Sequence, residues 1–105
     1  MKILITGGKS AQALKLLNTF QDDQIILADY GEVPNFPSAR YQFISLGERN
    51  DEVVAHNLLT ISLDQAVDAI LPLYDFEVKE VIKSKVLFEE FHVEIMEPEQ
   101  QQIIK

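Results

Sequence analysis

The chain has no cysteine and no tryptophan among its 105 residues, and only four glycines, four prolines and two histidines. Without cysteine there are no disulfides and no thiolate metal ligands, the composition expected of a cytoplasmic protein. No apolar run approaches the roughly 20 residues of a membrane-spanning helix. The opening strand carries no basic segment or cleavage site, so neither export nor a membrane partner is expected. Cations are scarce as well: nine Lys and Arg stand against 17 Asp and Glu, for a net charge of −8. Binding to a phosphate backbone needs clustered Lys and Arg, so no nucleic-acid or anionic-membrane partner is expected. His56 and His92 have no metal-ligand spacing and read as structural. There is no Gly-x-Ser-x-Gly elbow, no His-Glu-x-x-His pair and no nucleophile matched to a base. The chain is not expected to catalyse a reaction alone.

What is there is an ordinary globular composition, 47% apolar and 25% charged, of a length suited to one domain. Lys2–Thr6 (KILIT) reads as a buried strand stopped by Gly7-Gly8. Ser10 is placed to cap a helix whose apolar residues Ala13, Leu14, Leu17 and Phe20 recur at helical spacing. Gln24–Ala28 (QIILA) is a second strand, ending at Asp29, and residues 30–42 form a loop. Phe43-Ile44 reads as a short third strand, and Asn50 or Asp51 as the cap of a helix bearing Val53, Val54, Leu58 and Ile61. Ala66–Leu71 is a fourth strand. A helical stretch is predicted from Asp75 to Phe91, with Val78, Val81, Ile82, Leu87, Phe88 and Phe91 inward. Val93–Met96 is a fifth strand, and a short helix is predicted over Glu99–Lys105.

Strands alternating with helices predict an α/β fold: a Rossmann-like three-layer sandwich of about five mostly parallel strands with helices on both faces. Right-handed crossovers then put the first strand near the centre, with any ligand at the carboxyl ends of the strands. Those ends hold Gly7-Gly8-Lys9-Ser10, Asp29-Tyr30, the loop Ser38–Tyr41 and the stretch Pro72–Glu77.

At the glycine turn, the spacing G-x-x-G-x-x-G falls on Gly7, Ser10 and Ala13, so only its first position is glycine. A side chain at position 10 disfavours a diphosphate, which needs bare backbone there, and the spacing is not that of a P-loop. The helix N-terminus and Lys9 still suit a carboxylate or phosphate, and a purely structural turn fits equally. Asp29 stands about 20 residues past the turn, where a ribose-binding acid sits in nucleotide-binding folds; it also suits a loop-capping role. Arg40 suits bidentate anion binding or plain surface exposure. Asp75 and Glu77 are substrate-binding candidates at the end of the fourth strand; Asp75 is also a natural helix cap, and Glu77 lies in a first helical turn that favours an acid.

The order "KILITGG…ALKLL", "IILAD", a Pro-containing loop leading to "SARY", "DAILPLYDFEV" and "FEEFHVEIMEP" resembles the pre-ATP-grasp domain. This is the N-terminal Rossmann-like domain of ATP-grasp carboxylate–amine ligases, in the carbamoyl-phosphate-synthase-like branch. The resemblance covers essentially the whole chain. His92 stands where such domains usually have Gly, Phe76 replaces one acid of an Asp-Glu-Glu run, and Lys105 falls about where the ATP-binding domain would begin. The resemblance implies a pre-ATP-grasp domain over 1–98 and, over 99–105, the start of a helix leading toward an ATP-grasp domain. It implies ATP and Mg as cofactors of the full ligase, with none held by this chain. An ATP-grasp domain, in cis or in trans, is the implied partner. The implied substrate is a small carboxylate or amine: ATP activates a carboxylate as an acylphosphate, which an amine attacks. By matching position Gly7, Gly8, Lys9, Glu77 and Asp29 are the substrate-side residues, with Lys9 and the turn amides holding an anionic group and Glu77 orienting a polar one. An open partner-facing surface leads us to expect a homo-oligomer.

Two rivals follow from the same residues. One is an NAD(P)-binding fragment of the dehydrogenase or epimerase type, suggested by "MKILITGG" and Asp29, although the Tyr-x-x-x-Lys pair of epimerases is absent. The other is a stand-alone small-anion binding or interaction module.

Overall fold

Three apolar runs make the centre of the molecule. Ile3, Leu4 and Ile5 of β1 (Lys2–Ile5), Ile25 to Ala28 of β2 (Gln24–Asp29) and all of β4 (Ala69–Leu71) are buried, as strands covered on both faces must be. With β3 (Tyr41–Ser45) and β5 (Glu94–Ile95) they form one five-stranded sheet in the order β3-β2-β1-β4-β5. Every pairing is parallel. The fold is therefore α/β and Rossmann-like, with the first strand central, as the strand–helix alternation predicts. The computed structural model describes residues 1–34, 38 and 40–105. Among these, no helix is long and apolar enough to cross a membrane.

The two-residue period of the strands divides the core. Ile3, Ile5, Ile25, Leu27, Ala69 and Leu71 pack with Ala13, Leu16 and Leu17 of α1 (Ala11–Thr19). Leu4, Ile26, Ala28 and Ile70 pack on the opposite side. There they meet Leu58 and Leu59 of α2 (Val54–Asp64), Val81 of α3 (Asp75–Lys83) and Phe88 of α4 (Lys85–Glu90). Ser10 caps α1 as its position predicts, its hydroxyl accepting the Ala13 N–H at 3.2 Å.

Several local expectations are corrected. The third strand is longer than Phe43-Ile44, because Tyr41 through Ser45 all find partners in β2. Neither Asn50 nor Asp51 caps α2. Asn50 Oδ1 accepts the Glu52 N–H at 3.0 Å and its carbonyl accepts the Val53 N–H, while Asp51 is tied to Arg49, so both act in the preceding turn. The fourth strand starts at Ala69, since Ala66, at φ 54°, turns the chain out of α2 first. Leu14 is on the outer side of α1, 51% exposed.

The helix expected over 75–91 is two helices. The Ser84 N–H bonds back to the Val81 carbonyl, closing α3 tightly, and the Ser84 carbonyl accepts the Phe88 N–H, starting α4. Across this break Val81 and Phe88 keep the inner face, while Ile82, Leu87 and Phe91 turn outward instead of inward. The terminal segment is not a helix either. The Glu99 N–H donates to Gln102 Oε1 at 2.9 Å and closes a single 3-10 turn at Gln100–Gln102. The β-branched Ile103 and Ile104 then run on towards the sheet. The Ile104 N–H donates to the Leu73 carbonyl (2.7 Å) and its carbonyl accepts the Asp75 N–H (2.9 Å), a parallel bridge beside Tyr74.

Candidate functional site

Parallel strands bring their carboxyl ends to one edge of the sheet, and the site is built there. The glycine turn leaves β1 through Thr6. Gly7 takes φ +65°, and a Cβ on it would lie 2.8 Å from Ile104 Cδ1 and 3.3 Å from Leu73 Cβ. A Cβ on Gly8 would lie 2.9 Å from both Leu27 Cβ and Phe43 Cζ. Both glycines are thus demanded by the chain's own packing, with the terminal Ile104 laid over the turn.

Three backbone donors of the turn and its lysine are engaged inside the chain. The Gly8 N–H donates to the Ala28 carbonyl (2.9 Å), the Lys9 N–H to Asp29 Oδ2 (3.0 Å) and the Ser10 N–H to the Gly7 carbonyl (2.9 Å). The Ser10 hydroxyl donates to the Gly7 carbonyl at 2.6 Å. The Lys9 ammonium reaches over β2 to the carbonyls of Tyr30 (2.8 Å) and Glu32 (3.1 Å). Satisfied in this way, these groups form a closed turn.

Beside the turn lie two buried carboxylates, Asp29 at 2% and Glu77 at 0% exposure. Asp29 accepts from the Lys9 N–H, from the Tyr30 N–H (2.8 Å) and from the Tyr74 hydroxyl (2.8 Å). Glu77 accepts from the Thr6 hydroxyl at Oε1 (2.5 Å), from the Tyr30 hydroxyl at Oε2 (2.6 Å) and, at 3.3 Å, from the Tyr74 N–H. Thr6 in turn accepts the Leu73 N–H at 2.8 Å, which leaves its own proton directed at Glu77. The pattern is crossed: Tyr30 adjoins Asp29 but serves Glu77, and Tyr74 opens the helix of Glu77 but serves Asp29.

Burial raises the Glu77 carboxyl above the ordinary carboxylate range, against the opposing pull of the Thr6 and Tyr30 hydroxyls. Burial also raises both phenols, Tyr30 further through the charge of Glu77 and Tyr74 through its bond to Asp29. Both tyrosines therefore remain protonated donors at neutral pH. Among the described residues, no buried side-chain polar atom lacks a partner. Carboxylates so fully engaged brace the strand ends against one another.

Aromatic rings cover the brace. Tyr74 and Phe76 are stacked with centroids 5.5 Å apart, and Tyr30 lies 6.0 Å from Tyr74 and 5.8 Å from Phe76. The Arg49 guanidinium sits 3.6 Å above the Phe76 ring and is paired with Asp51 at 2.6 Å. The Asp51 bond raises the Arg49 pKa, and Arg49 lowers that of Asp51. An open concavity of about 630 Å³ adjoins this arginine, lined by Glu48, Asn50, Asp51, Glu52 and Asn57 besides.

Of the candidate residues read from sequence, the structure brings Gly7, Gly8, Lys9, Ser10, Asp29 and Glu77 together. Asp75 is adjacent, with its carboxylate turned to Lys79 at 3.2 Å, and the cap position falls to Tyr74. Arg40 is at the opposite edge of the sheet. In a parallel sheet the chain must return to the amino ends before β3 begins, and there Arg40 donates to the Leu17 carbonyl at 2.9 Å. Ser38 is held near it, accepting the Arg40 N–H at 3.1 Å, and Ala39 of the same loop lies outside the described residues. Sequence reasoning placed Tyr30, Tyr74 and Phe76 at the strand ends without giving them a role, and missed Thr6, Arg49 and Ile104. Thr6 and the Tyr74-x-x-Glu77 spacing were the available signals: a hydroxyl closing an apolar strand, and an acid placed to reach back to a helix start. Among the described residues, no group of three His, Cys, Asp or Glu side chains is placed to hold a metal ion.

No protein-family model and no curated protein matches the chain. Among solved structures, a dTDP-glucose 4,6-dehydratase from Bacillus anthracis in complex with NAD is similar, with a TM-score of 0.56 and 15% identity. The likeness covers 92% of this chain and 36% of that one, so the chain spans little more than a third of the enzyme's length. At this identity it shows the Rossmann-type fold alone.

Proposed function

We propose that the chain is a non-catalytic, substrate-side domain of an ATP-dependent carboxylate–amine ligase, of the pre-ATP-grasp type. One observation supports the reading: in a Rossmann-like layout, the Gly8, Lys9 and Ser10 amides and the Lys9 ammonium, which lie where a diphosphate would be cradled, are engaged inside the chain. The fold is Rossmann-like, those donors are engaged within the chain, and the order of strand-end motifs resembles that family. In this reading the ATP and Mg belong to an ATP-grasp domain, in cis or in trans, where the carboxylate is phosphorylated. The strand-end edge, with the hydroxyls of Tyr30 and Tyr74, forms one wall against which the polar part of a small substrate rests.

The test is to purify the native protein from its source cells with an antibody raised to this chain, then measure its mass and its ADP release from Mg-ATP. ADP release that requires both an added carboxylate and an added amine supports the ligase reading. Its absence over a panel of such pairs, from a native protein of 12.0 kDa, overturns it.

The NAD-bound neighbour and the position of Asp29 favour a second reading, a dinucleotide-binding fragment. Fluorescence titration with NADH decides between the two. Saturable binding tighter than ~100 μM would replace the ligase reading, since that is well beyond a nonspecific millimolar contact.

A further inference from the structure

The strand order leaves one crevice at the carboxyl ends of the sheet. β2 and β3 lie on one side of β1, β4 and β5 on the other, so the chain changes direction between the ends of β1 and β4. In open α/β sheets such a switch point is where ligands are taken up. Here the chain itself fills it. Ile104 is bonded through its backbone to Leu73 and Asp75, which follow β4, and its side chain lies over Gly7, which follows β1. The bare face of a glycine in the first strand–helix turn lets a ligand approach the backbone in such folds, and in this chain an aliphatic side chain takes that place.

The segment that fills the crevice is laid over the fold. Its pairing is a single parallel bridge, Tyr74 to Ile104, outside the five-stranded sheet. Two backbone hydrogen bonds make that bridge, at 2.7 and 2.9 Å. Ile103 and Ile104 are half-buried and Lys105 is exposed, whereas Thr6, Gly7, Leu73 and Glu77 beneath them are all buried. The 3-10 turn that leads to the bridge is closed by Glu99 and Gln102, within the segment itself. Lifting the segment therefore breaks the two bridge bonds and leaves every strand pairing of the sheet in place. It bares an aliphatic floor of Gly7 and Leu73, a carbonyl acceptor on Leu73 and an N–H donor on Asp75. An acceptor and a donor on either side of one residue, beside an aliphatic floor, match an extended peptide strand: main-chain bonds hold it and the floor selects its side chain.

We propose that the crevice between the ends of β1 and β4 is a strand-accepting groove that the chain holds shut in cis, with Ile103-Ile104 as a displaceable strap. A ligand entering the strand ends from this side must compete with the strap. The proposal does not rest on the ligase reading, since it uses only the sheet order and the strap.

The experiment joins amide hydrogen exchange of the 105-residue chain with binding of a fluorescently labelled peptide, Glu99–Lys105, followed by anisotropy. The amides of Ile104 and Asp75 should exchange about 100-fold faster than those of β1 or more, and at a rate insensitive to low urea, because the strap opens without unfolding the sheet. Ile104→Asp sets a charge against the aliphatic floor and should free the strap. The peptide should bind this variant saturably and about tenfold more tightly than wild type or more, since in wild type the strap competes in cis. The same peptide bearing Ile104→Asp should bind neither protein. Ile104→Ala should act in the same direction more weakly, and it decides the matter if Ile104→Asp loses the slow exchange of β1. Exchange of Ile104 and Asp75 only in step with β1 overturns the proposal. So does a peptide that binds variant and wild type alike, or binds neither.

Discussion

Removal of the Glu77 carboxylate tests the brace at the strand ends. In Glu77→Ala, the Thr6 hydroxyl loses its acceptor at a position of 0% exposure, where water cannot replace it. One unsatisfied buried hydroxyl costs about 1–3 kcal/mol. The Tyr30 hydroxyl is better placed to turn to solvent, and the 3.3 Å Tyr74 contact contributes little. With the vacated side-chain volume the expected loss is about 2–4 kcal/mol. Glu77→Gln keeps a carbonyl for Thr6 and offers an amide N–H to the Tyr30 oxygen, so its cost at neutral pH should stay under about 1 kcal/mol. The pair also separates charge from geometry. Because burial raises the Glu77 pKa above its value of 4.5 in water, the folded state holds the proton more tightly than the unfolded chain. The contribution is therefore fully present below the unfolded pKa and is lost as pH rises through the folded one. Urea unfolding at several pH values from about 4.5 to about 8 should show wild type losing stability relative to Glu77→Gln as pH rises. A gap that stays constant across that range, or a Glu77→Ala loss under about 0.5 kcal/mol, would refute the reasoning.

Three further outcomes follow from the backbone and the core. His92 holds φ 61°, a conformation that favours glycine, so His92→Gly should raise the urea midpoint by the equivalent of about 1 kcal/mol. Gly7→Ala, strained at φ +65° and crowded by Ile104, should cost about 2 kcal/mol or more, whereas Gly31→Ala, with φ +72° and open space around it, should cost only the backbone term; adding Ile104→Ala to Gly7→Ala should recover part of the loss in a double-mutant cycle. Phe88→Ala, at a fully buried position between the sheet and α4, should cost about 3–5 kcal/mol in thermal or chemical unfolding.

The sheet was legible because its information is local. KILI, QIILA and AIL are apolar on both faces, and only strands buried on both sides tolerate that, so the parallel order followed from where the helices fell between them. Ser84 was not legible as a helix break, since serine interrupts a helix only when the tertiary fold asks it to, and the amphipathic spacing continued past it. Ile103-Ile104 read as the end of a helix because their extended pairing partner, Leu73 to Asp75, lies about 30 residues away. At the site, Asp29 and Glu77 were visible as acids at strand ends. Their engagement by Tyr74 and Tyr30 was not, since each hydrogen bond spans more than 40 residues of chain and no short window contains both partners. Arg40 shows the reverse: close to the site in the order of the loops, it lies at the far edge because it stands directly before β3, and a parallel strand begins at the edge away from the site.

The crossed tyrosines also constrain which order of strands the chain can adopt. Tyr30 follows β2 and Tyr74 follows β4, and in the sheet these two strands are separated by β1, whose end supplies Thr6 between them. The hydroxyl–carboxylate bonds can close only at the spacing set by an inserted β1. A collapsed chain in which β2 and β4 met directly would leave Thr6 without its place, and the two acids would be buried without a full set of donors. The acids penalise any packing that omits β1, and they give a parallel sheet, slow to form by its topology, a means of rejecting its most accessible wrong neighbour.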